Sequence, residues 1–438
     1  MRVDSLIHAR WIIPVEPENV VLEHHSIAIV QGKIVAILPT VTAEQHYQAA
    51  QVRYLSQHLL IPGLINAHTH AAMSLMRGLA DDLPLMEWLQ QHIWPLEQKW
   101  VGVELVKDGT DLAIAEMLRS GTTCFNDMYF FPEITAQQAM LHGIRASIGL
   151  IVIDFPTAWA NHAEQYLQKG LDLHGQLQNE ALITTPFAPH APYTVADSAF
   201  KQVINAADLL NLPIHIHIHE TSHEVEQQLK LTGERPLQRL HTLGLVNSRL
   251  IAVHATQLTS AEIQLLADAK AHIVHCPESN LKLASGFCPV TDCLAAGINI
   301  ALGTDGAASN NDLDMLGEMR TAALLAKGLS GQANVVDAMT VLKMATLNGA
   351  KALGIADRCG SLVVNKAADM VAIEMDQLET LPIYHPISHL VYACSRHQIT
   401  DVWVNGKLML NQRHLTTFDE SDLKRRVLKW QQRLTPFS

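Results

Sequence analysis

Pro213-Ile-His-Ile-His-Ile-His-Glu220 is the stretch whose reading decides the fold. Its strict alternation has the period of a β-strand, so His215, His217 and His219 share one face and the isoleucines the other. It ends in polar residues, and working outward, seven more apolar, β-rich segments end the same way. They run from Leu60 to His70, Thr122 to Asp127, Ile144 to Asp154, Ile183 to His190, Leu250 to His254, His272 to His275 and Ile298 to Asp305. Stretches of helical periodicity lie between them, such as Val195 to Leu210 and Ser260 to Ala269. Strand alternating with helix eight times predicts an α/β protein built on a (β/α)₈ TIM barrel. In such barrels the functional side chains sit where the strands end, and here His and Asp cluster at those ends.

Outside the barrel the texture changes. Short strands such as Ser26 to Val30 and Lys33 to Leu38 turn at Gln31-Gly32. The same pattern returns at Met370 to Glu374 and at Asp401 to Leu410, which turns at Asn405-Gly406. The expected organisation is a catalytic barrel over 58–360. A small β-sandwich-like domain is formed by both chain ends, 1–57 and 361–438, the latter closing with a helix.

The 438 residues can bury a large core, and 48% hydrophobic with 17% charged residues excludes a disordered chain. A net charge of -12 argues against nucleic acid as a partner, which requires clustered positive charge. The one basic run, Lys424 to Lys429, reads as the solvated face of an amphipathic helix. No stretch is suited to spanning a bilayer, and Met1-Arg2-Val3-Asp4 lacks the apolar core of a signal peptide. Six cysteines without a Cys-x-x-Cys pair read as reduced thiols, and a cytoplasmic location is expected.

Histidine is the unusual count, at 24. His68 and His70 close the first strand two residues apart, so both imidazoles face the barrel and can grip one metal. One histidine of the 215–219 trio can reach the same ion, while the deeper one fills a barrel layer. His219-Glu-Thr-Ser-His223 matches the zinc-protease pattern His-Glu-x-x-His, but that pattern requires a helix, and here the first His ends a strand. Glu220, just past the strand, suits acid/base work. His254 either orients a hydroxide or is a hydrogen-bonded core imidazole. Asp305 is either a turn residue between glycines or, with three histidines, the completion of an N/O ligand set for one divalent metal ion. Zinc comes first, and iron or manganese accept the same donors.

At these residues the chain resembles the amidohydrolase superfamily. The resemblance rests on Ile61 to His70, His217 to Glu220, His275-Cys-Pro-Glu-Ser-Asn-Leu-Lys282, Gly303-Thr-Asp-Gly306, Ala345 to Lys351 and Ala368-Asp-Met370. Within it, Trp88, Trp94-Pro-Leu-Glu97 and Ala188-Pro-His-Ala-Pro-Tyr193 are similar to the 5-methylthioadenosine/S-adenosylhomocysteine deaminases, which stand beside the triazine hydrolases. The resemblance implies that His68, His70, His217 and Asp305 bind one metal. It implies that Glu220 protonates a purine ring nitrogen while His254 and Asp305 manage the attacking water. Glu97 would hold the ribose hydroxyls, His190 and Trp88 would contact the nucleoside, and Arg145 would take the homocysteine carboxylate. Where the family supplies a second Arg, Phe155-Pro-Thr-Ala-Trp159 offers none. A homo-oligomer is also implied. Two other readings stay open: a guanine, pyrimidine or triazine hydrolase on the same fold, and an inactive barrel serving as a scaffold. Cytidine-deaminase chemistry is disfavoured by the absence of Pro-Cys-x-x-Cys.

Overall fold

The computed structural model describes residues 1–435. Strands β1 (Arg2–Ile12), β2 (Leu22–Val30), β3 (Lys33–Pro39) and β4 (Gln48–Pro62) open the chain. The barrel strands are β5 (Leu64–Thr69), β6 (Thr122–Asp127), β7 (Arg145–Ile148), β8 (Leu150–Val152), β9 (Ile183–Thr184) and β10 (Phe187–Pro189). They continue with β11 (Ile214–Ile218), β12 (Leu250–His254), β13 (His272–His275) and β14 (Asn299–Leu302). Then come β15 (Met370–Glu374), β16 (Ile399–Val404), β17 (Lys407–Asn411) and β18 (His414–Leu415).

The chain forms two compact units. The first comprises Met1–Asn66, Ala115–Cys124 and Asp314–Phe418. Both ends of the chain meet in its eight-stranded sheet, of order β18-β17-β16-β15-β4-β1-β2-β3. The contact between early and late segments is the antiparallel register of β15 on β4, from Met370 opposite Pro62 to Glu374 opposite His58. Ile7, Ile27, Ile34, Leu60, Met370 and Trp403 bury one face of this sheet. Val3, Leu6 and Ala28 bury the other under Ala43 of the short helix Thr40–His46.

The second unit comprises Ala67–Ile114, Phe125–Leu313 and the residues from Asp419 on. Its parallel strands run β14-β13-β12-β11-β10-β8 in one sheet, and β5-β6-β7-β9 form another. The ring closes where the Asp305 amide donates to the His68 carbonyl at 3.0 Å. That closure demands Gly303, because a Cβ there would lie 2.8 Å from the His68 nitrogen.

Three strands read as continuous in the sequence are broken. Leu60 to Pro62 belongs to β4, and β5 starts after Gly63. The third barrel strand divides into β7 and β8 at Gly149, whose amide turns aside to the Asp127 carbonyl at 2.8 Å. The fourth divides into β9 and β10 across Thr185-Pro186, where proline has no amide for the ladder.

The terminal helix, Glu420–Leu434, departs from a purely solvated reading. Arg426 pairs with Asp108 and, at 2.9 Å, with Asp111, and the Trp430 indole donates to Asp108 at 2.8 Å. Among the described residues all six cysteines are buried thiols outside any disulfide, and no helix is long and apolar enough to cross a membrane.

Candidate active site

The ends of β5, β11, β12 and β14 converge on one group of donors. His68 Nε2 lies 3.2 Å from His217 Nε2 and 3.2 Å from Asp305 Oδ1, and His70 Nε2 lies 3.2 Å from the same oxygen. The backbone makes this convergence possible. Three of the four strand ends carry a residue in the left-handed region: His219 (φ 53°), His254 (φ 70°) and Asp305 (φ 65°). Such conformations are costly for L-residues and concentrate at functional sites.

Each ring is locked by its other nitrogen. His70 Nδ1 donates to the Met128 carbonyl at 2.5 Å and His217 Nδ1 to the His190 carbonyl at 2.7 Å. His254 Nδ1 pairs with Asn280 Oδ1 at 2.8 Å, and His68 Nδ1 with His215 Nε2 at 3.0 Å. A carbonyl can only accept, so in the neutral rings of His70 and His217 Nε2 carries a lone pair. Burial holds His68 down to about 4 and His217 well below the usual imidazole range, so both are neutral at pH 7. At His70 burial also opposes charge, but the Asp305 carboxylate outweighs it and raises the pKa to about 9. Burial works against Asp305 as well, yet its bonds to His68 and His70 keep it ionised well below the carboxylate norm.

The Nε2 atoms of His68 and His217 lie 3.2 Å apart with a carboxylate oxygen beside them, a convergence of donors that suits a cation. The three histidines and one carboxylate at 68, 70, 217 and 305 are the donor chemistry of a single divalent metal. Two overlapping groups meet the spacing, with donor atoms within 4.8 Å: His68, His70 and Asp305, and His68, His217 and His254. Asp305 is further fixed by two hydroxyls on Oδ2, Ser279 at 2.7 Å and Ser309 at 2.8 Å, and by the Gly306 amide on Oδ1.

Above this floor opens a cavity of about 630 Å³. Glu220 lines it, its Oε2 3.7 Å from His254 Nε2. Burial raises the Glu220 pKa, with His254 and His70 opposing the rise and the Asp305 charge adding to it. Glu97 also lines the cavity, on the helix Trp94–Trp100 that follows a wider π turn at Trp88–Ile93. Its Oε1 accepts from the Tyr129 hydroxyl at 2.7 Å, while burial lifts its pKa to about 7. His190 lines the cavity in neutral form, pushed down to about 3 by burial, with Nδ1 occupied by Thr194. Trp88 lines the outer wall with Leu89, Ile93, Trp94, Phe155 and Pro156.

The structure therefore gathers nine of the ten residues singled out from sequence. Arg145 is the exception. It opens β7, at the end of the strand away from the donors, and its Nη1 faces the Ala181 carbonyl at 3.5 Å. Functional positions at strand ends are one side of a barrel only, and a residue at a strand start lies on the other. Sequence reasoning missed Tyr129 and Ser309, which carry no periodic signal, and gave no role to Asn280, whose Oδ1 pairs with His254 Nδ1.

Residues 59–409 match the profile of the Amidohydrolase family. The chain belongs to the amidohydrolase family. A 5-methylthioadenosine/S-adenosylhomocysteine deaminase of Saccharophagus degradans is 49% identical to this amidohydrolase over 428 residues, 98% of this chain and 96% of the relative. A crystal structure of an adenosine deaminase from Xanthomonas campestris with bound zinc superposes with a TM-score of 0.98 at 53% identity, covering 99% of each chain. An atrazine chlorohydrolase from Arthrobacter aurescens, complexed with zinc, superposes at 0.91 with 22% identity over 97% of this chain and 99% of that one, a likeness of fold.

Proposed function

We propose that this amidohydrolase is a metal-dependent aminohydrolase that deaminates the adenine ring of a nucleoside, 5′-methylthioadenosine or S-adenosylhomocysteine, giving the inosine-type product and ammonia. The observation that carries the reading is the pairing of an N/O donor cluster with a buried Glu220 and a second carboxyl group, Glu97, in the same cavity. His68, His70, His217 and Asp305 would hold one divalent ion, zinc in first place. When bound, such an ion brings the pKa of water towards about 7 and so supplies a nucleophile at neutral pH.

The protein's own groups divide the remaining work. His254, fixed through Asn280, presents Nε2 to accept a hydrogen bond from the attacking water. Asp305 accepts the proton that this water loses and returns it to the departing ammonia. Attack at the amino-bearing carbon drives electron density onto the ring, Glu220 donates its proton to the ring nitrogen that receives it, and Glu220 recovers a proton when the new hydroxyl becomes the product's carbonyl. Glu97 has one oxygen committed to Tyr129, and its other is available to a ribose hydroxyl. A diol-binding carboxylate favours nucleosides over free bases such as guanine.

The outer wall sharpens the substrate. No Lys or Arg lines the cavity among the described residues, and the wall around Trp88, Trp94 and Phe155 is apolar. An apolar methylthio group fits there better than a zwitterionic homocysteine tail, whose charges would lose water without gaining partners. Arg145, turned towards Ala181, does not change this.

Ammonia release by metal-loaded protein tests the reading, with methylthioadenosine, S-adenosylhomocysteine, adenosine and guanine supplied separately. Turnover of the adenosines, methylthioadenosine first, is expected. Activity on guanine or a triazine alone overturns the substrate, and silence with metal bound favours a scaffold. We place the functional barrel at 58–360 and expect a cytoplasmic homo-oligomer without nucleic-acid partners, which light scattering and cell fractionation check.

A further inference from the structure

We propose that Glu224 is a positioning residue whose carboxylate holds the backbone turn that aims Glu220 into the cavity. The inference rests on Glu220 being the proton-transfer group. Strand periodicity alone would send Glu220 the wrong way: it groups His215, His217 and His219 on one face and residue 220 with the isoleucines. Glu220 nevertheless lines the cavity, because His219 turns through the left-handed region at φ 53°. An L-residue does not rest there unless its surroundings impose it.

Glu224 imposes it. Its Oε1 accepts the His219 amide at 3.1 Å and its Oε2 the Glu220 amide at 2.8 Å. On the other side of the same peptides, the Thr256 hydroxyl donates to the Glu220 carbonyl at 2.7 Å and the Thr256 amide to the His219 carbonyl at 3.0 Å. Glu224 is buried, and among the described residues it has no ion pair.

A helix cap does not account for this. The chain has two Thr-x-x-Glu starts. At Thr259 and Glu262 the box closes on itself: Glu262 accepts the Thr259 amide at 2.9 Å, as a capping box does. At Thr221 the hydroxyl caps the Glu224 amide at 3.2 Å, but the Glu224 carboxylate reaches back past its cap to residues 219 and 220. The second arrangement extends beyond its own cap to bind the segment that carries Glu220.

Steady-state kinetics and metal content of the wild type, Glu224→Gln, Glu220→Gln and the double variant test this. Glutamine puts an NH₂ against a backbone amide and loosens the turn. Expected for Glu224→Gln is a kcat loss of roughly 10–100-fold, with KM within about threefold and metal content unchanged. The double variant should be no slower than Glu220→Gln alone, because Glu224 acts only through Glu220. If Glu224→Gln does not fold, Thr256→Val removes the opposite tether and is held to the same pattern. An unchanged kcat, or losses that multiply in the double variant, overturns the positioning role. Full activity of Glu220→Gln instead removes the reading of Glu220 on which the inference stands.

Discussion

On the floor of the cavity the groups proposed to bind metal and move protons sit at strand ends or just beyond them, and the rings are locked by second bonds, His70 to Met128, His217 to His190 and His254 to Asn280. Along the wall, Trp88, Leu89, Ile93, Trp94 and Phe155 come from short helical turns and a loop, and they are large apolar or aromatic side chains. The floor fixes atoms to a fraction of an ångström because chemistry depends on direction. The wall offers area, which is not directional. One cavity thus separates what is done to a substrate from which substrate is admitted.

The largest expected effect breaks the floor. His217→Ala should reduce bound metal from one per chain to near zero and lower kcat on the order of 10³-fold or more, read by elemental analysis and ammonia release. Retained metal with retained turnover would mean that the converging nitrogens are not the working centre. Glu97 stands between the two regions and should show an intermediate effect. Its truncation to Ala removes a charged hydrogen bond of about 1.5–3 kcal/mol, so kcat/KM for nucleosides should fall roughly 10–100-fold while turnover of a free base is spared.

The same residue gives a pH signature. With its pKa raised to about 7, Glu97 is protonated in acid and gains its full acceptor capacity as pH rises. For nucleosides kcat/KM should therefore climb through neutrality, and Glu97→Gln should flatten that limb. Persistence of the limb in the Gln variant would assign it to another group.

Changes in the wall should redistribute preference instead of abolishing turnover. Phe155→Arg introduces a cation worth about 1 kcal/mol at a half-exposed site, which should raise the ratio of S-adenosylhomocysteine to methylthioadenosine turnover about fivefold. A ratio that does not move would place the amino-acid tail elsewhere. Arg145→Ala should leave that ratio alone, within about twofold, and act on stability by about 1–3 kcal/mol in urea unfolding, because its guanidinium is buried away from the donors.

Much of the floor was legible in the sequence because strand periodicity converts spacing into direction. His68 and His70 two apart, and His217 within the alternating run, could face only one way. Asp305 was ambiguous until the backbone bond to His68 closed the ring around it. The wall was hardly legible, since Trp88 and Phe155 lie far apart in sequence, on segments with no period tying them together. Arg145 misled for a related reason: distance along the chain from a strand end says nothing about which end of a barrel a side chain occupies. Glu220 was identified by type and position, but the turn that redirects it is invisible without φ angles.

The left-handed strand ends also decide which inactive variants are useful. Asparagine tolerates that conformation better than any other residue with a side chain except glycine. His254→Asn and Asp305→Asn should therefore disarm the chemistry while sparing the backbone at φ 70° and 65°. Valine or isoleucine at the same positions would distort the loops as well. The two asparagine variants are the natural decoys: proteins that still close around an intact nucleoside and hold it long enough to be photographed.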